Sequence, residues 1–176
     1  MQPAVPIDVD ETTGIWRTDG LPMVYLPRHF LVNNHLAVEA ALGREAYSDM
    51  LRVATAKSAI EWCEAQLSGK GLDREAVFRL YFQRLSQRGW GQFSIDALDV
   101  AGRRGSISLR NSVFALESPQ RADRRVCYMF EGFITGALSF LLRHSAAKPG
   151  KVEAEETQCA CQGRHDHCRF DFSPMP

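Results

Sequence analysis

The densest chemistry in the sequence lies in the run Glu156-Thr-Gln-Cys159-Ala-Cys161-Gln-Gly163-Arg-His165-Asp-His167-Cys168-Arg-Phe170. Cysteines, histidines and carboxylates crowd into this one stretch. Thiolate sulfur and imidazole nitrogen are the preferred ligands of zinc, and a glutamate can add an oxygen. Ligands on facing strands of one hairpin, with one more from a nearby helix, can close a tetrahedron. Cys161, His165 and His167 stand as alternatives to Glu156 for one of the positions. No other group of titratable residues makes a comparable constellation. His29 and His35 do not share a helix face cleanly, and Asp96 and Asp99 are predicted to point to opposite sides of a strand. Cys63 lies on an apolar helical face and reads as a core thiol.

The elements that must position these residues follow from periodicity. Residues 1–14 are polar and proline-bearing and read as an arm, leaving 15–176 as one domain. Ile15-Trp16 and Met23–Leu26, around Asp19-Gly20, predict a short hairpin, because Asp-Gly supplies the positive φ of a tight turn. Helical periodicity then runs from Phe30 to Leu42, from Arg44 to Leu67, and on from Asp73, a good N-cap. From Gly91 the period shortens to two, and Leu98 and Val100 fall out of phase with Phe93, Ile95 and Ala97, which suggests a bulge. Gly102–Gly105 reads as a turn, and the alternation of Ser106–Leu116 as the return strand. A loop over 118–123 precedes the most apolar helix, expected over Arg125–Arg143. A linker over 146–150 leads to two strands, Val152–Gln158 and Cys168–Phe172. This order implies an α+β fold with an antiparallel sheet packed against helices.

The run Glu156-x-x-Cys159-x-x-x-Gly163 followed by Cys168-x-Phe170 resembles the C-terminal signature of the 4-vinyl reductase domain. Val126-Cys127-Tyr128, opening a glycine-containing helix, resembles that domain's remaining ligand position. Gly14-x-Trp16-x-x-x-Gly20-x-x-Met23 is similar to the segment that precedes this domain in aromatic-sensing bacterial regulators. The resemblance covers nearly the whole chain. It implies a 4-vinyl-reductase-type α/β plait with an N-terminal hairpin extension, and a zinc site made by Cys127, Glu156, Cys159 and Cys168. It also implies an apolar ligand pocket between the sheet residues Phe93, Ile95, Ser112 and Phe114 and the helix residues Met129, Phe130 and Phe133. Phenol sensors of this family supply a histidine from the central region, and this chain has none between His35 and His144. Stand-alone members are associated with flavin-dependent demethylating oxidoreductases, and such domains often form homodimers.

Composition narrows the function classes. In 176 residues, Lys plus Arg and Asp plus Glu both number 21, so the formal net charge is zero. That balance argues against a nonspecific nucleic-acid binder. The hydrophobic content of 45% and charged content of 24% are ordinary for a globular chain. No apolar run approaches the length of a membrane span, the first residues do not read as a signal peptide, and a cytoplasmic address is expected. There is no Gly-rich phosphate loop and no nicotinamide or flavin fingerprint. With these absences, the family resemblance implies a zinc-binding, non-catalytic accessory subunit of a larger enzyme complex as the expected role. A small-molecule sensor that signals to a partner is the alternative, and a vinyl reductase the third reading. Val5, Ile7, Ile15 and Trp16 are the candidate docking strip.

Overall fold

The computed structural model describes residues 5–117, 124–143 and 151–175. The expected loop 118–123 and linker 146–150 lie outside the described residues. Three short strands, β1 (Asp8–Asp10), β2 (Ile15–Thr18) and β3 (Leu21–Met23), pair antiparallel in that order. β1 thus arises within the stretch read as an arm. Asp19 (φ 52°) and Gly20 (φ 78°) make the two-residue turn between β2 and β3, which sets Thr18 opposite Leu21. The second strand therefore runs over Leu21–Met23 rather than Met23–Leu26, because so tight a turn fixes the register from its own end.

Helices α1 (Arg28–Leu42), α2 (Arg44–Lys70) and α3 (Arg74–Gln87) follow. Asp73 caps α3 by accepting a hydrogen bond from the Ala76 N–H at 2.7 Å. Strands β4 (Gln92–Asp99) and β5 (Arg104–Arg110) form a hairpin whose register slips between Ile95 and Ala97, the bulge that the pattern suggested. β5 ends earlier than its alternation implied. Asn111 takes a left-handed φ of 54°, which breaks the strand, and Val113–Glu117 forms a short helix, α4.

Helix α5 (Met129–Leu142) is buried along most of its length. It begins later than expected, because residues 124–128 are held by contacts outside any helix. Arg44 donates to the Arg125 carbonyl at 2.6 Å, and the Tyr128 hydroxyl donates to Glu39 at 2.6 Å. α5 packs on α2 at two glycines. A Cβ on Gly132 would sit 2.6 Å from the Arg52 carbonyl oxygen, and one on Gly136 would sit 2.7 Å from the Ala56 Cα. The two backbones therefore approach closely enough for Thr55 to donate to the Met129 carbonyl.

The chain ends in the hairpin β6 (Val152–Gln158) and β7 (His167–Pro174), with a single 3-10 turn over Ala160–Gln162. The second sheet has the order β4-β5-β7-β6, with all pairs antiparallel. Along β6 the burial alternates strictly, with Val152, Ala154 and Glu156 facing inward. One face of the sheet therefore meets the helices and the other meets solvent. This is the α+β architecture that the residue pattern predicts, with a three-stranded N-terminal sheet in place of a two-stranded hairpin.

Candidate metal centre

Cys127, Glu156, Cys159 and Cys168 each offer a ligand atom, and all four atoms lie within 4.8 Å of one another. Cys127 precedes α5, Glu156 sits on the inner face of β6, Cys159 follows that strand, and Cys168 opens β7. All four residues have no measurable exposure. The sulfur of Cys168 lies 3.5 Å from that of Cys127 and 3.8 Å from that of Cys159. A zinc–sulfur bond of about 2.3 Å implies tetrahedral sulfur–sulfur edges of about 3.8 Å, so these sulfurs already have a metal-sized spacing. The Glu156 Oε1 atom is buried without a hydrogen-bond partner. Its other oxygen accepts from the Cys127 N–H at 2.9 Å. The cluster could therefore hold a metal ion, with Glu156 Oε1 as the oxygen left for it.

The surroundings favour negative charge. The N-terminus of α5, with its positive dipole end, begins at the residues next to Cys127. The Ala160 N–H points at the Cys168 sulfur at 3.3 Å, and the Ser112 hydroxyl lies 3.0 Å from the Cys127 sulfur. Glu131 accepts from the Glu156 N–H at 2.9 Å and from Arg52 at 3.0 Å, fastening the ligand strand to α5 and α2. Without a cation the four acids oppose one another. Burial first, and then neighbouring Cys159, raises the Glu156 carboxyl to about 9. Burial holds the Cys127 thiol well above the ordinary range. Hydrogen bonds from Cys127, Cys161 and Cys168 pull Cys159 down. A divalent cation resolves that conflict by deprotonating its ligands.

The alternative ligands lie outside the quartet. Cys161 is buried, but its sulfur faces the Ala115 carbonyl at 3.6 Å. His165 is exposed, and His167 pairs with Asp166 at 2.7 Å. Cys63 is a core thiol raised to about 12, chiefly by burial. Glu131 and Arg52 went unremarked in the sequence. The available signal was a lone carboxylate in the first turn of the most apolar helix.

The expected ligand pocket is arranged differently from its description. Ser112 and Phe114 are not sheet residues; they lie before and within α4. Phe130 is fully buried, and its ring centroid lies 5.3 Å from that of Phe93, 5.5 Å from Phe114 and 6.0 Å from Trp90. Met129 and Phe133 are buried, and Ile95 is half-buried. His35 reaches this region although it comes from α1. It packs on Phe114 at 4.5 Å and against Tyr47 and Tyr128, and its Nδ1 is buried without a partner. Burial pulls its pKa down. Position along the chain hid this histidine, because only the fold brings α1 to α4. Arg124 and Arg125 are engaged with Glu39 and Glu155.

Residues 1–96 match the family described as a domain of unknown function, DUF5943. The chain belongs to this family. All four clustered ligands lie beyond the matched segment. No curated protein sequence matches the chain. Among solved structures, it is similar to the phenol-responsive sensory domain of the transcription activator PoxR, at 19% identity and a TM-score of 0.78, covering 96% of this chain and 84% of that one. It is also similar to a vinyl-4-reductase family protein from Methanocaldococcus jannaschii, at 15% identity and a TM-score of 0.52, covering 88% and 85%. A trafficking protein particle complex subunit 3 from Naegleria fowleri, covalently bound to palmitic acid, aligns at 17% identity and a TM-score of 0.51, covering 85% and 95%. At these identities the likeness is one of fold, and the fold is the one implied by the vinyl-reductase resemblance. No helix among the described residues is long and apolar enough to cross a membrane.

Proposed function

We propose that this chain is a non-catalytic, zinc-binding accessory subunit that works by docking onto a larger cytoplasmic enzyme, of the flavin-dependent demethylating class that the family resemblance suggests. Cys127, Glu156, Cys159 and Cys168 hold the zinc. With all four positions taken by protein, the ion stabilises the fold and leaves no site for a reacting water. That donor set weighs against the vinyl-reductase reading.

The observation that carries the docking reading is an exposed apolar strip beside the N-terminal sheet. Ile15, Trp16, Met23, Val24, Tyr25, Leu26 and Phe30 are all exposed, Tyr25 to 82%. Trp16 and Tyr25 lean on each other at 6.1 Å. Exposed apolar residues of this kind, rich in large aromatics, have the composition of an interface core. Of the strip first expected, Ile15 and Trp16 are exposed, Ile7 is half-buried and Val5 is buried.

The second reading is a sensor of a small aromatic ligand, with output through a partner. The unpartnered Nδ1 of His35 among Tyr47, Phe114 and Tyr128 favours it, as does the likeness to a phenol-responsive domain. Native purification decides between them, with size exclusion, mass spectrometry and metal analysis on one peak. Co-elution with a larger flavoprotein, lost in Trp16→Glu, is the expected result. A zinc-loaded homodimer or monomer that carries an aromatic small molecule overturns the accessory reading in favour of the sensor.

A further inference from the structure

The tip of the N-terminal sheet enters a cationic socket. The side chain of Asp19 is 4% exposed. Lys70 Nζ lies 2.9 Å from one of its oxygens, and Arg88 Nη2 lies 3.0 Å from the other. Arg84 spans both, with Nε at 3.2 and 3.0 Å and Nη2 at 3.1 Å. Gln66 donates to the Asp19 carbonyl at 3.0 Å, and Arg88 also donates to the Thr18 hydroxyl at 3.0 Å. Three cations, from α2, from α3 and from the residue that follows α3, thus meet one carboxylate, and among the described residues they form ion pairs with no other acid.

Two further features set this apart from a simple structural ion pair. First, polar capacity is left over at the same spot. Arg88 Nε, Gln66 Oε1 and the Trp62 indole nitrogen are buried without partners, and the Arg88 guanidinium lies over the Trp62 ring at 5.6 Å. Buried polar groups are normally satisfied, and the two spare donors, the Arg88 Nε–H and the Trp62 indole N–H, can serve more acceptor than one side chain brings. Second, the sheet has little else to hold it. Its strands are three or four residues long, and Thr18 is the only buried residue in them. So small a sheet is marginal without external support.

We infer that Lys70, Arg84 and Arg88 form a carboxylate-binding site which this chain fills with its own Asp19, so that the N-terminal sheet is a plug whose anchoring carboxylate a free carboxylate ligand can replace. The inference is independent of what the exposed strip on that sheet contacts. Asp19 has a large local concentration advantage over any free ligand, so the site is best revealed by removing it. Asp19→Gly does this cleanly, because glycine relaxes the left-handed φ while opening the socket. Hydrogen exchange read by mass spectrometry is expected to show residues 8–23 exchanging about tenfold faster or more in Asp19→Gly. Protection of β5 and α5 should be unchanged. Formate is expected to restore protection of residues 8–23 saturably, and chloride at equal ionic strength should not. Unchanged exchange of residues 8–23 in the variant overturns the plug. Restoration by chloride as effective as by formate overturns the carboxylate site. If Asp19→Gly does not fold, Asp19→Ala, which also empties the socket, carries the same comparison.

Discussion

At the residue scale, the quartet and its near neighbour Cys161 make opposite predictions. Cys159→Ser removes one corner of the tetrahedron and leaves a buried hydroxyl among thiols. Metal analysis of the purified variant is expected to show loss of stoichiometric zinc, with a melting temperature lower by about 10 °C or more. Cys161→Ser should keep its zinc, because that sulfur donates to the Ala115 carbonyl and is not among the four clustered ligand atoms. Equal zinc content in Cys159→Ser and the parent would sink the assignment. The four clustered positions were legible in the sequence through family spacing. The groups that steady them were not. Ser112, Glu131 and Arg52 come from separate elements, and their roles exist only once α5 lies between α2 and β6.

At the scale of elements, the α2–α5 contact carries the next prediction. Ala at position 136 would drive a methyl group into the Ala56 backbone, which cannot yield as a flexible side-chain end does. Gly136→Ala should therefore destabilise by about 1–3 kcal/mol in urea titration. Ser139→Ala, at an exposed position of the same helix, should stay within about 0.5 kcal/mol. An unchanged midpoint for Gly136→Ala would mean that the helices do not meet at that glycine. Gly132 and Gly136, spaced to share one helix face, are the sequence feature that permits this close approach. Periodicity failed where a local backbone choice overrode it. Alternation continues past Arg110, yet the left-handed Asn111 ends the strand and lets Val113 start a helix. Apolar periodicity likewise begins at Arg125, but the chain there stays out of the helix and its Cys127 N–H reaches Glu156.

At the scale of the whole molecule, the attachment of the N-terminal sheet is electrostatic and so depends on pH. Burial alone would raise the Asp19 pKa, but hydrogen bonds and charge from Lys70 and Arg84 more than offset it, leaving it below the ordinary 3.8. A carboxylate depressed in the folded state contributes stability above its unfolded pKa and loses it as pH falls through the folded value. The stability gap between the parent and Asp19→Asn should thus be full above about pH 4 and shrink below it. Urea midpoints measured across that range check the sign, and a gap that widens in acid would refute it. The fold class could be read from the order of periodic segments. The socket could not, since Asp19, Lys70 and Arg84 are far apart in the chain and nothing in their local pattern links them. The spacing of the metal ligands also bears on how the chain can change length. Glu156, Cys159 and Cys168 belong to one hairpin, whereas Cys127 stands 29 positions before Glu156. Closing that span is an entropic cost that grows only logarithmically, by about 0.6 kcal/mol for each doubling. Structural zinc contributes on the order of 10 kcal/mol. Lengthening the span between Cys127 and Glu156 is therefore expected to cost the fold little, so long as its two ends still meet at the cluster.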